Sequence, residues 1–502
     1  MTKAVSSAGS VLHQPTSFVA GSGVGAGCLT EPPAVQVNSI YQKLRCGVRG
    51  PNGLSAQEVA ENQRTRIYEA MVEIAATRGY PATTIKAVCG LARVSRQTFY
   101  DLFSTNKDAC FLGAYDYVVA RAVARISRAY RKEPDPQRRL CRAFQEFAQE
   151  AAGEPLAARF ALVETLGAGR AAQERMNHGR QLFQELIAAS LSDHGGAVIS
   201  PRITRGIVGG VERVSRVYLL DGRIDELAGT AGELAAWVSS YRPWTRAATP
   251  AAMPTGAHLY RPAVHGRDEG LRIARAAAAI AASQGYGALS VARIVRAAGV
   301  SEETFNTIYG GPDALDACFL AAFDLLGAEA LVCAARASRE AGGWPGGVRS
   351  GIAALLDHIA GDPCLGRVAF VEIFAAGPAA IERRSRMLGR FADIFVKYIP
   401  DAQRPSELIA EAIVGAVWAL IHDYVVRGQT QRLHELADDV TYLALAPVIG
   451  HQAAVQEILA GEPALAPALG GEAAIKAIRD DQQGPPTRRV ARQRLVGSST
   501  CR

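Results

Sequence analysis

The chain has 502 residues, 49% of them hydrophobic and 21% charged, which suggests three or four folding units and excludes a wholly disordered or collagen-like polypeptide. No run of about 18 strongly apolar, uncharged residues occurs, and no basic N-terminal segment leads into a compact apolar core, so the expectation is a cytoplasmic protein without a membrane span. The formal charge of +7 permits an acidic partner such as nucleic acid, but it is diffuse over this length, and its placement decides what it does. The nine cysteines are scattered and never spaced as Cys-x-x-Cys, so they read as reduced thiols with no zinc site and no disulfide framework.

In chain order, residues 1–54 are rich in Gly, Ser, Val and Pro, show no sustained period and read as a flexible segment. The run Gly21 to Gly27 is not a phosphate-binding loop, because Cys28 stands where that fingerprint needs Gly or Ala. Ser55 with Glu58 has capping-box spacing. The stripe Ile67, Ala70, Met71, Ile74 and Ala75 then predicts a helix of about 20 residues ending at Gly79. Thr83 or Thr84 can cap a short second helix that carries Ile85 and Val88 inward, and Ser95 can cap a third running through Phe99 to Phe103. Only Arg93 and Val94 separate that cap from Ala92, which makes the pair a helix-turn-helix with Val94 and Phe99 plugging the angle. Pro243, Pro250, Pro254 and Pro262 break the helical pattern over 243–266, and from about 461 the chain turns to Pro, Gly and Ala before a basic end.

The two bodies left between these breaks are copies. At an offset of 206, thirteen of the thirty-seven positions from 67 to 103 are identical, including Gly79 with Gly285, Val94-Ser95 with Val300-Ser301 and Thr98-Phe99 with Thr304-Phe305. Asp108 to Leu112 recurs at Asp316 to Leu320, an offset of 208, so two extra residues sit in the loop of Gly310, Gly311 and Pro312. Glu164 with Glu372 keeps 208, and Ile207-Val208-Gly209 with Ile413-Val414-Gly415 returns to 206. The whole body is duplicated.

The segment from Thr83 to Asp116, with its Thr-Thr pair, the turn ending Val94-Ser95, Thr98-Phe99-Tyr100, Phe103 and a Lys107 preceding a long helix, resembles the DNA-binding segment of the TetR/AcrR family of bacterial transcriptional regulators. The resemblance implies an all-α chain of two tandem TetR-like modules. Helix-turn-helix domains are expected at 55–110 and 267–320, helical effector/dimerisation domains at 111–242 and 321–460, a linker at 243–266 and a flexible basic tail at 461–502. It also implies that Thr84, Lys86, Tyr100 and Lys107 contact phosphates, and that Arg96, Gln97 and Thr98 contact bases. From Thr84 to Lys107 the cations Lys86, Arg93, Arg96 and Lys107 face Asp101 alone, and Arg96 and Gln97 fall on the first turn after Ser95, the end that enters a major groove. Two features depart from the family pattern. Leu102 removes a frequent polar residue before Phe103, and Arg93 occupies a turn position often held by Gly.

The second copy keeps Val300, Ser301, Thr304 and Phe305 but has Glu302, Glu303 and Asn306 in place of Arg96, Gln97 and Tyr100. Two carboxylates at the start of a recognition helix repel phosphates, so this copy is expected to be degenerate as a DNA reader. By resemblance, dimerisation uses the last helices, here containing Ile207, Val208, Gly209, Gly210, Val214 and Val217 in the first copy and Ile409, Ile413, Val414, Ala416, Val417 and Leu420 in the second. An intrachain pseudo-dimer is expected, with a homodimer as the alternative.

The functional reading is a repressor that binds double-stranded operator DNA and is released by a small apolar effector. The alternative is a helical small-molecule sensor or interaction module that no longer reads DNA. Scattered histidines and the absence of Gly-x-Ser-x-Gly or Gly-x-x-x-x-Gly-Lys argue against an enzyme, a metal or a cofactor, and Asp357-His358 and His422-Asp423 are weak catalytic hints.

Overall fold

The computed structural model describes residues 56–104, 106–192, 198–244 and 269–460. The expectations for Ser55, the N-terminal segment, most of the linker and the tail therefore lie outside the described residues. Among these, every regular element is helical.

The first copy runs α1 (Ala56–Arg78), α2 (Ile85–Ala92), α3 (Arg96–Phe103), α4 (Lys107–Lys132), α5 (Pro136–Gly153), α6 (Pro155–Leu162), α7 (Arg170–Ser192), α8 (Pro201–Leu220) and α9 (Ala231–Ser239). The second repeats the order as α10 (Glu269–Gln284), α11 (Val291–Ala298), α12 (Glu302–Tyr309), α13 (Ala314–Glu340), α14 (Trp344–Gly361), α15 (Pro363–Phe370), α16 (Pro378–Lys397), α17 (Glu407–Val426) and α18 (Ala437–Ile449). It then adds α19 (His451–Ala460).

The predicted stripe of α1 is buried, with Ile67, Met71 and Ala75 fully enclosed, and the helix stops where Gly79 takes a left-handed φ of 81°. Gly285 does the same at 88°. Thr84, not Thr83, caps α2, accepting from the Ala87 amide at 3.2 Å, while Thr83 is buried and donates to the Gly79 carbonyl at 2.9 Å. Proline at the first turn of α5, α6, α8, α15 and α16 presets φ where no amide partner is needed. In each copy the first helix packs on the next helix, on the long fourth helix and on the short sixth, so the three-helix head rests on the helical body.

The bodies meet through α8 and α17, the most extensive helix pair in the molecule. A Cβ on Gly209 would lie 2.1 Å from the Ala419 Cβ, and one on Gly415 would lie 2.3 Å from the Arg213 Cβ. Since 209 corresponds to 415 and 213 to 419, the contacts are reciprocal and define a pseudo-two-fold axis through the crossing. Only glycine permits so close an approach of the backbones. The predicted interface helices are thus in contact within one chain, but not every residue expected there lies on the shared face. Val208 lines a cavity inside the first body, and Val414 and Val417 line one inside the second. Gly206, Gly209, Gly210 and Arg213 follow i, i+3, i+4, i+7 spacing toward the other copy, while Val208, Val211 and Glu212 form a second stripe facing inward.

Across the axis the charges are polarised. Arg213, 2% exposed, donates to Glu411 at 2.7 Å and to Ser385. Arg205 pairs with Asp423, and Arg202 reaches Asp439 at 3.0 Å and Glu435 at 3.8 Å. In each of these pairs the first copy supplies arginine and the second the carboxylate. Asp423 is also held by Arg427 at 3.0 Å, so its carboxylate is shared by two arginines. Two helices, α13 and α17, are long and apolar enough to cross a membrane, yet 44% and 72% of their apolar windows are buried inside the fold.

Candidate nucleic-acid interface

The head of the first copy is fixed by a small set of contacts. Ser95 accepts from the Thr98 amide at 3.0 Å and its hydroxyl lies 2.9 Å from that of Thr98, which sets where α3 begins. Phe99 and Phe103 are buried and pack on each other and, through Phe103, on Tyr68 of α1. Arg93 ends α2 with φ 53° and ψ 48°, in the left-handed conformation its counterpart Gly299 adopts at φ 65°. From α1, Arg66 donates to the carbonyls of Ala92 and Arg93, the latter at 2.9 Å, and so locks the turn. Arg272 reaches the Gly299 carbonyl in the second copy at 3.5 Å.

On this scaffold Thr84, Lys86, Arg93, Ser95, Arg96, Gln97 and Tyr100 are exposed, and Thr98 is half-buried. Arg96 and Gln97 occupy the first turn of α3, and Gln97 is steadied by Asp101 one turn later at 2.8 Å. Tyr100, 40% exposed, packs edge-on with Phe99. Lys107 stands apart from this group. Its ammonium donates to the Tyr80 carbonyl at 3.1 Å and lies 4.0 Å above the Tyr80 ring, so part of its donor capacity is already used in tying α4 to the loop before α2. The Tyr80 hydroxyl in turn donates to Asp108, a pair repeated by Tyr286 and Asp316. Burial, then the hydrogen bond with its carboxylate partner, raises both phenol pKa values well above the usual range.

At the equivalent surface of the second copy Glu302, Glu303 and Asn306 are exposed, as is the apolar Ile308. Ser301 still caps the helix at 3.0 Å and Phe305 is fully buried. The scaffold survives while the exposed face has changed sign.

Head and body are joined by a pair of buried carboxylates. Glu164 lies 3.3 Å from Arg159 of α6, which also donates to the Ala76 carbonyl at the end of α1 at 3.0 Å. Glu372 pairs with Arg367 at 2.9 Å and accepts from the Tyr286 amide at 2.8 Å. Burial raises the Glu164 pKa above the usual carboxylate range, and Arg159 offsets part of that rise.

Within the first body, α4 to α8 line a cavity of about 130 Å³ walled by Ile126, Leu140, Phe144, Phe147, Phe183 and Val208. Its charged groups are internally neutralised. Arg180 grips Glu212 with two bonds of 2.6 Å, Arg216 adds a third at 3.2 Å, and Arg121 pairs with Glu154. Burial opposes the Glu212 charge, but these guanidinium groups overcome it and hold the carboxyl below its ordinary range. The second body has a cavity of about 70 Å³ at the matching place. Pocket residues carry no sequence signature, and the polarised ion pairs were missed as well. Aligning the copies at 206 would have exposed the latter, since Arg213 faces Ala419 and Arg205 faces Glu411 in that register.

Residues 67–114 and 273–315 match the bacterial regulatory proteins of the tetR family. No curated protein matches the chain significantly. Among solved structures, the fatty acid degradation regulator FadR of Bacillus halodurans is 16% identical, covering 35% of this chain and 97% of its own, with a TM-score of 0.32. FadR of Bacillus subtilis, solved with stearoyl-CoA, is 15% identical over 35% and 97%, with a TM-score of 0.32. A TetR-family transcriptional regulator from Syntrophomonas wolfei is 14% identical over 35% and 95%, with a TM-score of 0.31. With a matching helix-turn-helix at the head of each of two like-ordered helical bodies, the chain is a tandem TetR-like protein.

Proposed function

We propose that this chain is a DNA-binding transcriptional regulator, a ligand-responsive repressor that reads its operator mainly through the first head. The observation that carries the reading is the exposed first turn of α3, where Arg96 and Gln97 stand on a braced, buried scaffold while Glu302 and Glu303 occupy the same positions in the second copy. Lys86, Arg93, Thr84 and Tyr100 surround that turn and supply phosphate contacts, with Lys107 contributing what its bond to Tyr80 leaves free. One chain then presents a strong half-site reader and a weak one, paired through α8 and α17.

A small apolar molecule in the first cavity is the proposed releasing effector. The cavity is lined by Ala157, Ala158 and Ala161 of α6, and the same helix carries Arg159, which is bonded to the end of α1. Another wall is α8, which also crosses the second copy. Filling the cavity therefore shifts both the seat of the head and the spacing between heads, and the effector acts to the extent that it binds one arrangement better.

The test is anisotropy of the full chain on labelled DNA flanking its own coding region, titrated with salt. Lys86→Ala should weaken binding to every sequence and flatten the salt slope by about 1. Arg96→Ala or Gln97→Ala should relax preference at one or two bases by roughly 1–3 kcal/mol. Failure of the chain to bind any fragment at low salt overturns the reading, and equal loss on all sequences from Arg96→Ala removes its base-reading role.

A further inference from the structure

The second cavity contains an arginine that the fold leaves without a counter-ion. Arg384 on α16 is 3% exposed, and its Nε, fully buried, has no hydrogen-bond partner. The carbon of its guanidinium lies 3.7 Å from the Trp418 ring centroid and 5.1 Å from that of Phe374. The charges that act on it most are three more guanidinium groups, Arg216, Arg213 and Arg180. Glu212, already shared by Arg180 and Arg216, acts less than any of them. Burial and these like charges press its pKa well below the ordinary arginine value. The rest of the cavity wall is apolar and includes Phe323, Leu355, Phe370, Met387 and Phe391.

A buried cation with only aromatic faces against it is a costly arrangement unless an anion completes it. Of the guanidinium groups nearby, Arg213 is paired with Glu411, and Arg180 and Arg216 share Glu212, so Arg384 is the one of the four with no carboxylate partner among the described residues. With Trp418 at 3.7 Å the Arg384 Nε–H still has no partner, and a planar guanidinium is the group that takes a carboxylate in a two-bond fork. The first copy lacks the device, because Met176 stands at the position of Arg384, and Arg180 and Glu212 stand where the second cavity has Leu388 and Trp418. The two cavities have therefore diverged in charge, one neutralised internally and one not.

We propose that the second cavity binds an apolar monocarboxylate, its tail among the aliphatic and aromatic walls and its carboxylate on the edge of Arg384. This deepens the effector reading of the helical bodies and assigns the two copies ligands of different class.

The test is calorimetric titration of the full chain, without DNA, with decanoate and with decanol as its uncharged counterpart. Decanoate should bind once per chain and at least about tenfold more tightly than decanol, and Arg384→Met should lower its affinity by about a hundredfold. The ligand-free variant should also melt at a higher temperature, because an unmatched buried charge has been replaced by the residue the first copy carries. If Arg384 only braces the aromatic cluster, Arg384→Met melts lower and binds decanoate as the parent does, which overturns the proposal. Absence of decanoate binding to the parent chain overturns it too. Should Arg384→Met not fold, Ala369→Phe fills the half-buried wall of the same cavity with Arg384 in place, and it must abolish decanoate binding. Because no DNA is present, failure here leaves the operator-binding reading intact.

Discussion

Replacing Gly209 by alanine tests the close crossing of α8 and α17. The new methyl carbon would stand 2.1 Å from the Ala419 Cβ and 3.2 Å from the Gly415 carbonyl oxygen, against an ordinary carbon contact of about 3.5–4.0 Å. The helices must separate by more than about 1 Å, which loosens the reciprocal Gly415 contact and lengthens the 2.7 Å bond between Arg213 and Glu411. Overpacking of this kind costs about 1–3 kcal/mol, and alanine's better helix propensity returns about 0.5–1 kcal/mol, so the net loss should be roughly 1–2 kcal/mol. Gly90→Ala is the control. It lies in α2 with no atom within 4 Å of the added carbon, and it should gain about 0.5–1 kcal/mol. Urea unfolding followed by far-ultraviolet circular dichroism measures both midpoints. If Gly209→Ala moves upward with Gly90→Ala, the backbones do not approach as described.

Arg93→Gly should stabilise the first head by about 1 kcal/mol, since the left-handed turn no longer carries a Cβ, while DNA affinity falls on all sequences and the salt slope drops by about 1. Thermal melts and anisotropy read the two effects separately. Arg213→Glu places a carboxylate against Glu411 and should cost about 3–5 kcal/mol, with the Arg213→Glu, Glu411→Arg double variant recovering part of it; denaturant midpoints of the three chains decide. Glu302→Arg with Glu303→Gln gives the second recognition helix the residues of the first at those positions, and affinity for DNA at low salt should rise. An unchanged affinity would mean that this head never reaches the duplex.

The duplication, the heads and the interface helices were legible because each leaves a local mark: a repeated spacing, a cap and plug, or small residues on a helix stripe. Gly209 and Gly415 are matched in the sequence, and the structure puts them at the same crossing. Arg384 left no such mark. It sits in the run Glu382-Arg383-Arg384-Ser385-Arg386, which reads as a solvated helix face. Only the phase of α16 against Trp418 decides that this one arginine is inside. Lys107 shows the converse limit. Its motif position implied a free phosphate contact, but the Tyr80 carbonyl and ring lie within its reach, a proximity set by how the loop before α2 folds back.

The arginine-to-carboxylate polarity between the copies has a consequence for dosage. Two first copies brought face to face would set Arg202, Arg205 and Arg213 against surfaces lacking their acids, so the polarity selects a first copy paired with a second over two like copies. A conventional two-subunit reader loses active complex with the square of its concentration when scarce. The pairing of α8 with α17 lies within one chain, so this contact itself needs no second polypeptide and does not weaken on dilution.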